Sequence, residues 1–157
     1  MAELKILLEG EETLRKKSRR VDVINTRILT LLDDMRETLI ISNGVGLAAP
    51  QVGVLKRIFL VDTGEEIVEF INPEIIATEG EIEDMEACLS LPGKCGIVVR
   101  PEKVTVKALN RNNEEFTITG EEIIARAFCH ENDHLDGILY IDKAIEMVDP
   151  DDSDRGE

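Results

Sequence analysis

His130-Glu131-Asn132-Asp133-His134 places both histidines of this 157-residue chain four residues apart. On a helix that spacing sets two imidazoles on one face, one turn apart, where both can bind a single metal ion. Glu131 sits beside the first of them, within reach of a water on that ion. Five residues therefore supply two ligands and a general base. In a surface turn the same residues would be two solvated histidines and nothing more.

A catalytic metal site usually has three protein ligands and one open position. The missing ligand is a carboxylate or a thiolate. Glu86-Ala87-Cys88-Leu89-Ser90 lies in an irregular stretch before Pro92-Gly93, where a loop can turn Cys88 toward the histidines. A cysteine beside a leucine is by itself more often a small buried hydrophobe. Cys95 is an alternative, and Cys129 projects about 100 degrees away from His130 on a helix. Chemistry alone leaves the third ligand open.

A third segment, Gly44-Val45-Gly46-Leu47-Ala48-Ala49-Pro50-Gln51, follows a helix with two glycines and two alanines. Such residues let another backbone or an extended peptide approach closely. Gln51 offers an uncharged amide donor suited to a carbonyl oxygen or an oxyanion. The glycines do not form a nucleotide loop, because no strand precedes them and the third glycine and Walker lysine are missing. The bland reading is a tight interhelical loop with a polar anchor.

Elements that could position these groups are visible in the apolar spacing. Thr119-Gly120-Glu121-Glu122 fits a capping box, with Thr119 as N-cap, and Gly137 ends the helix that follows. Ile123, Ala127, His130 and His134 share one face of it, while Ile124, Phe128 and Leu135 form an adjoining core stripe. Asp22 to about Asn43 reads as a first long helix, with Ile24, Ile28, Leu31, Leu32, Met35 and Leu39 at helical spacing and Asn43-Gly44 closing it. Between the helices, Arg57 to Val61, Ile67 to Ile71, Ile75 to Ala77, the stretch around Ile82, Gly96 to Val99, Val104 to Leu109 and Glu115 to Thr119 read as strands. The expected fold is α+β, with mainly antiparallel sheets.

Length and composition predict one domain over residues 1–148, large enough to bury a core, and an acidic, disordered tail from Asp149. No apolar run is long enough to span a membrane and no leader for export is expected. The formal charge of −15, with no Trp and a single Tyr, argues against direct nucleic-acid binding. Three cysteines without a secretion signal suit a reducing cytoplasm.

Taken in order, the three segments resemble peptide deformylase. That family carries a glycine-x-glycine-x-alanine-alanine-x-glutamine segment, matched by Gly44 to Gln51. Its glutamate-glycine-cysteine-leucine-serine motif is matched by Glu86 to Ser90, except that Ala87 replaces the glycine. Its histidine motif is matched by His130 to His134. Leu14-Arg15, Val99-Arg100-Pro101 and Leu135-Asp136-Gly137 add lesser similarity, so the resemblance runs from about residue 5 to 147. It implies an α+β fold of antiparallel strands around a central helix bearing the histidine motif.

The resemblance also implies a ligand set and a reaction. Cys88, His130 and His134 would hold one divalent ion, usually ferrous iron, with Ni2+ or Co2+ as working substitutes and Zn2+ less active. Imidazole and thiolate ligation alone would favour zinc, so iron is a family inference. Glu131 would take a proton from the metal-bound water as it attacks the formyl carbon, then return it to the departing amine. Gln51 and the backbone N–H of Leu89 would hold the oxyanion. The substrates would be new peptides beginning with N-formylmethionine. They would pair with the backbone at Gly44, Val45 and Gly46 and set the methionine side chain against Ile123 and Ala127. Arg100 is grouped with these substrate-side residues and is expected to pair with Glu86 and brace the Cys88 loop.

Two departures stand out. Ala87 would strain the Cys88 loop by about 1 kcal/mol or more if that position required positive φ. Cys129 stands where the family commonly has glutamine. Some relatives dock at the ribosome through a basic C-terminal extension, and the acidic tail here argues against that mode. A metallopeptidase would use the same histidine motif, usually with a third histidine or glutamate downstream. A non-catalytic metal-binding relative would follow if Ala87 displaced Cys88.

Overall fold

The computed structural model describes residues 2–148. The first long helix, α1, spans Thr26–Ser42 and starts later than its apolar stripe suggests. The Asn25 side chain accepts from the Ile28 N–H at 3.1 Å and sets the start, leaving Ile24 in the extended lead-in. Asn43, in the left-handed region at φ 56°, ends the helix.

Five strands form one sheet: β1 (Gly46–Ala48), β2 (Ile58–Asp62), β3 (Ile67–Glu79), β6 (Lys103–Leu109) and β7 (Glu115–Glu121), side by side in the order β1-β2-β3-β6-β7. A smaller sheet has the order β4-β5-β8, from β4 (Ile82–Glu86), β5 (Cys95–Arg100) and β8 (Glu146–Val148). All of these strand pairs are antiparallel. The two segments expected at Ile67–Ile71 and Ile75–Ala77 are one strand, interrupted by register shifts after Ile71 and after Ile75. Asn72 there has φ 51°, and its side chain exchanges two 2.8 Å hydrogen bonds with the backbone of Val21. Pro73, which has no N–H, falls at the same irregularity.

The second helix, α2, spans Ile123–Leu135, and here the structure corrects the expected capping box. Thr119 belongs to β7, where it pairs with Thr105, hydroxyl to hydroxyl at 2.8 Å. Glu122, at φ 53°, turns the chain directly from strand to helix, and its N–H donates to Glu102 O at 2.8 Å. The ladder of β6 and β7 takes the residues that a local cap would have used. At the other end Gly137 has φ 74°, and a side chain there would run into the backbone of Arg15.

β2 is buried on both faces. Phe59 and Val61 join the cluster under α2, with Phe70, Val106, Phe128 and Leu135. Ile58 and Leu60 join the cluster under α1, with Ile28, Leu32, Met35 and Leu39. A third cluster, Leu14, Leu91, Val98, Leu139 and Tyr140, lies against β5. The packing order is α1, large sheet, α2, small sheet. At roughly 1.5–3 kcal/mol for each large apolar side chain fully buried, these clusters hold α2 rigidly. No helix among the described residues is long and apolar enough to cross a membrane.

Candidate metal centre and active site

Three elements converge at the buried face of α2. The helix itself carries His130, Glu131 and His134, with relative exposures of 7%, 4% and 1%. The end of β4 and the loop after it carry Glu86, Cys88, Leu89 and Ser90. A 3-10 turn at Ala49–Val52, just after β1, carries Gln51. The N-terminal segment crosses behind both loops: Leu7 N–H donates to Gln51 O at 2.7 Å and Glu9 N–H to Ser90 O at 2.8 Å.

One ligand atom each from Cys88, His130 and His134 lies within 4.8 Å of the others. Cys88 Sγ is 3.4 Å from His134 Nε2. His130 Nδ1 is 2.6 Å from Glu86 Oε2, which leaves Nε2 as its free ring nitrogen. Two imidazoles and a thiol are a donor set for a transition-metal ion, and a carboxylate behind one imidazole fixes its tautomer and orientation. Burial, and then the charge of His130, push His134 down to about 3, so its ring is neutral with a lone pair available. The site residues fit a divalent ion.

Cys95 and Cys129 stand apart from this set. Cys95 Sγ faces Val148 O at 3.4 Å, and Cys129 is buried in the cluster under α2, where burial raises its pKa. Ala87 does not have positive φ, so its methyl group strains no left-handed backbone, and Cys88 keeps its place beside His134.

Glu131 lies beside the Cys88, His130 and His134 set, with Oε2 4.0 Å from His130 Nε2 and Oε1 buried without a hydrogen-bond partner among the described residues. Burial raises its carboxyl to about 7, against the pull of His130. Gln51 is fixed at both ends of its amide. Oε1 accepts from Ala48 N–H at 2.9 Å, and Nε2 donates to Ser90 Oγ at 3.1 Å while lying 3.6 Å from Cys88 Sγ.

A cleft of about 360 Å³ opens over these groups, lined among others by Gly44, Val45, Gly46, Leu89, Ile123 and Ala127. β1 is the outer strand of its sheet, so one backbone edge is unpaired within the sheet. The expected pairing of Arg100 with Glu86 is present, but its grouping with the substrate-side residues is corrected: it is 3% exposed and is not among the residues that line the cleft. Its guanidinium is taken up by Glu86, at 3.1 and 2.7 Å, and by Asp133 at 2.7 Å. The arginine that does line the cleft is Arg126, which also donates to Glu86 Oε1 at 3.0 Å, Val98 O at 2.9 Å and Ile82 O at 2.9 Å. Sequence reasoning missed it, although Arg126 precedes His130 by one helical turn and had to share its face.

Glu86 thus accepts from His130, Arg100 and Arg126 together. Burial alone would raise its pKa, but hydrogen bonds and charge from His130 and Arg100 outweigh that and hold the carboxyl down to about 2. It stays an anion and keeps the proton on His130 Nδ1.

A sequence profile of the polypeptide deformylase family matches residues 3–149. The peptide deformylase of Acetivibrio thermocellus is 58% identical over 147 residues, covering 94% of this chain and 86% of that protein. That of Thermoanaerobacter pseudethanolicus is 52% identical, covering 93% and 92%. Among solved structures, a peptide deformylase from Legionella pneumophila superposes with a TM-score of 0.88 at 43% identity, over 95% of this chain and 88% of that one. The one from Thermotoga maritima gives 0.89 at 36% identity, over 92% and 99%. With its histidine helix, its glutamate–cysteine loop and its glycine–glutamine segment around one cleft, the chain belongs to the polypeptide deformylase family.

Proposed function

We propose that Cys88, His130 and His134 hold one divalent ion, and that Glu131 is the general base and then the general acid of the hydrolysis. As a member of its family the chain removes the N-terminal formyl group from newly made peptides. The observation that carries the residue assignment is the meeting of a thiol and two imidazoles beside a buried carboxylate with an unpartnered oxygen. When bound, the ion supplies Lewis acidity, lowering the pKa of water and polarising the formyl oxygen.

The chain's own groups do the rest. Glu131 accepts a proton from the attacking water and hands it to the amine nitrogen as the formyl C–N bond breaks, giving formate and a free N-terminus. Gln51 Nε2 and the Leu89 backbone N–H donate to the formyl oxygen as it gains charge. Ser90 and the Ala48 N–H keep the Gln51 amide from rotating. The peptide lies extended along the free edge at Gly44, Val45 and Gly46, with its methionine side chain toward Ile123 and Ala127, the apolar wall of the cleft.

Ferrous iron is the proposed native ion, on family grounds. Its form should lose activity in air while a nickel form keeps it, since a thiolate ligand next to iron invites oxidation. The cytoplasm is the proposed compartment. The test of function is formate release from a formyl-Met peptide by anaerobic, iron-loaded protein, run beside cleavage of an internal peptide bond. Formate without internal cleavage is expected, and the reverse would make the chain a peptidase.

A further inference from the structure

Gly46 is the residue of β1 nearest the chemistry. A methyl group built on its backbone would lie 2.6 Å from Glu131 Oε2, 2.8 Å from Cγ and 2.9 Å from Cδ. All three are closer than non-bonded carbon and oxygen atoms sit. The space that any other residue would fill is therefore occupied by the Glu131 carboxylate. Gly44, its neighbour in the same segment, borders different groups: a methyl there would meet Leu89 and Leu39.

What fixes Glu131 is unusual for a buried acid. Oε1 has no hydrogen-bond partner among the described residues, and His130 Nε2, a nitrogen of the metal set, is 4.0 Å from Oε2. The carboxylate instead packs directly against the bare backbone of Gly46. α2 supplies the side chain, and β1 supplies a flat seat for it. β1 is itself rigid, because Gly46, Leu47 and Ala48 pair with Val61, Leu60 and Phe59, which are buried in the two core clusters.

We propose that Gly46 is a positioning residue for the general base: its missing side chain makes the seat that holds the Glu131 carboxylate at the metal ligands, apart from any pairing of its backbone with the peptide. The inference rests on Glu131 being the base. It makes the glycine a requirement of catalysis as well as of peptide access. An alanine at 46 would push the flexible end of Glu131 aside rather than the fold, because the three atoms nearest its methyl group all belong to that side chain.

The test is Gly46→Ala, made in wild type and in Glu131→Asp. Turnover, KM, metal per chain and melting temperature are measured on nickel-loaded protein, and a crystal structure of Gly46→Ala locates the carboxylate. The expected result is a kcat at least about tenfold lower with KM within about threefold, metal content unchanged, and Glu131 displaced. That cost should shrink below about threefold in the Glu131→Asp background, because residues acting through one another are not additive. An equal cost in both backgrounds, a raised KM with unchanged kcat, or a carboxylate still in its wild-type place would overturn the proposal and leave Gly46 to the peptide. Wild-type turnover in Glu131→Gln would instead remove the general-base reading on which it rests.

Discussion

Glu86 Oε2 lies 2.6 Å from His130 Nδ1, and the same carboxylate accepts from Arg100 and Arg126. One buried anion thereby orients an imidazole of the proposed metal set, ties α2 to the small sheet and absorbs arginine charge. Glu86→Gln keeps the size but removes the charge. It should weaken metal affinity by about 10–100-fold, as loss of a carboxylate behind a ligating imidazole generally does. Chelator competition measures this. Stability should also fall, by about 3 kcal/mol, because the buried Arg126 loses its carboxylate and Arg100 keeps only Asp133. Unchanged affinity would make the contact structural only.

Metal loading should depend on pH through His130. Burial alone would lower its pKa, but Glu131, Cys88 and Glu86 outweigh that and raise it well above its usual value. The metal-free ring therefore holds its proton more tightly than an ordinary imidazole, and an ion must displace that proton. Affinity should rise with pH across neutrality, with proton release on binding. Calorimetry at pH 7 in buffers of different ionisation enthalpy checks it, and no buffer dependence would contradict it.

The three cysteines should behave differently. Cys88→Ser should lose most of the bound metal, whereas Cys95→Ser and Cys129→Ser should keep wild-type stoichiometry, since neither thiol joins the ligand set. Metal analysis of the three variants decides it. Retention by Cys88→Ser with loss in Cys95→Ser would mean that the ligand is misassigned.

Much of this site is legible in the sequence, and the parts that are not share a cause. The face of α2 follows from periodicity, because His130, His134 and Ala127 are neighbours on any helix. Cys88 is more than forty residues upstream; no local rule brings it to the histidines, so its loop made it one candidate among several and the family resemblance singled it out. Thr119 looked like a cap because capping is judged locally, whereas its strand partner Thr105 is supplied by tertiary structure. β1 and β8, at three residues each, are too short for any alternation to register. Arg100 and Arg126 look alike on paper and both are buried, and only their place in the fold separates the brace from the residue that borders the cleft.

Away from the site, Glu69 predicts how the fold responds to acid. It is buried on β3 and paired with Arg111 at 2.6 Å and Arg36 at 3.1 Å, which joins the sheet to α1. Burial alone would raise its pKa, but the two arginines lower it below the usual 4.5. A lowered carboxylate pKa contributes stability that is fully present above about pH 4.5 and lost as pH falls through the folded value. Glu69→Gln should cost about 1 kcal/mol or more at pH 7, discounted because both arginines are partly exposed. Its stability should then fall less steeply than wild type below pH 4.5. Denaturant unfolding between pH 3 and 7 measures the slope, and parallel curves would rule out this origin.

The central claim is that Glu131 moves the proton and does not bind the ion. Glu131→Gln preserves size and a hydrogen-bond donor but cannot accept a proton. A positioned general base contributes about 10²–10⁴ in rate, so the variant should fold, keep stoichiometric metal and lose at least roughly a hundredfold in kcat. Metal content and kcat measured on one preparation test this directly. Full metal with that loss is the predicted result; loss of the metal, or near-normal turnover with metal retained, would contradict the account.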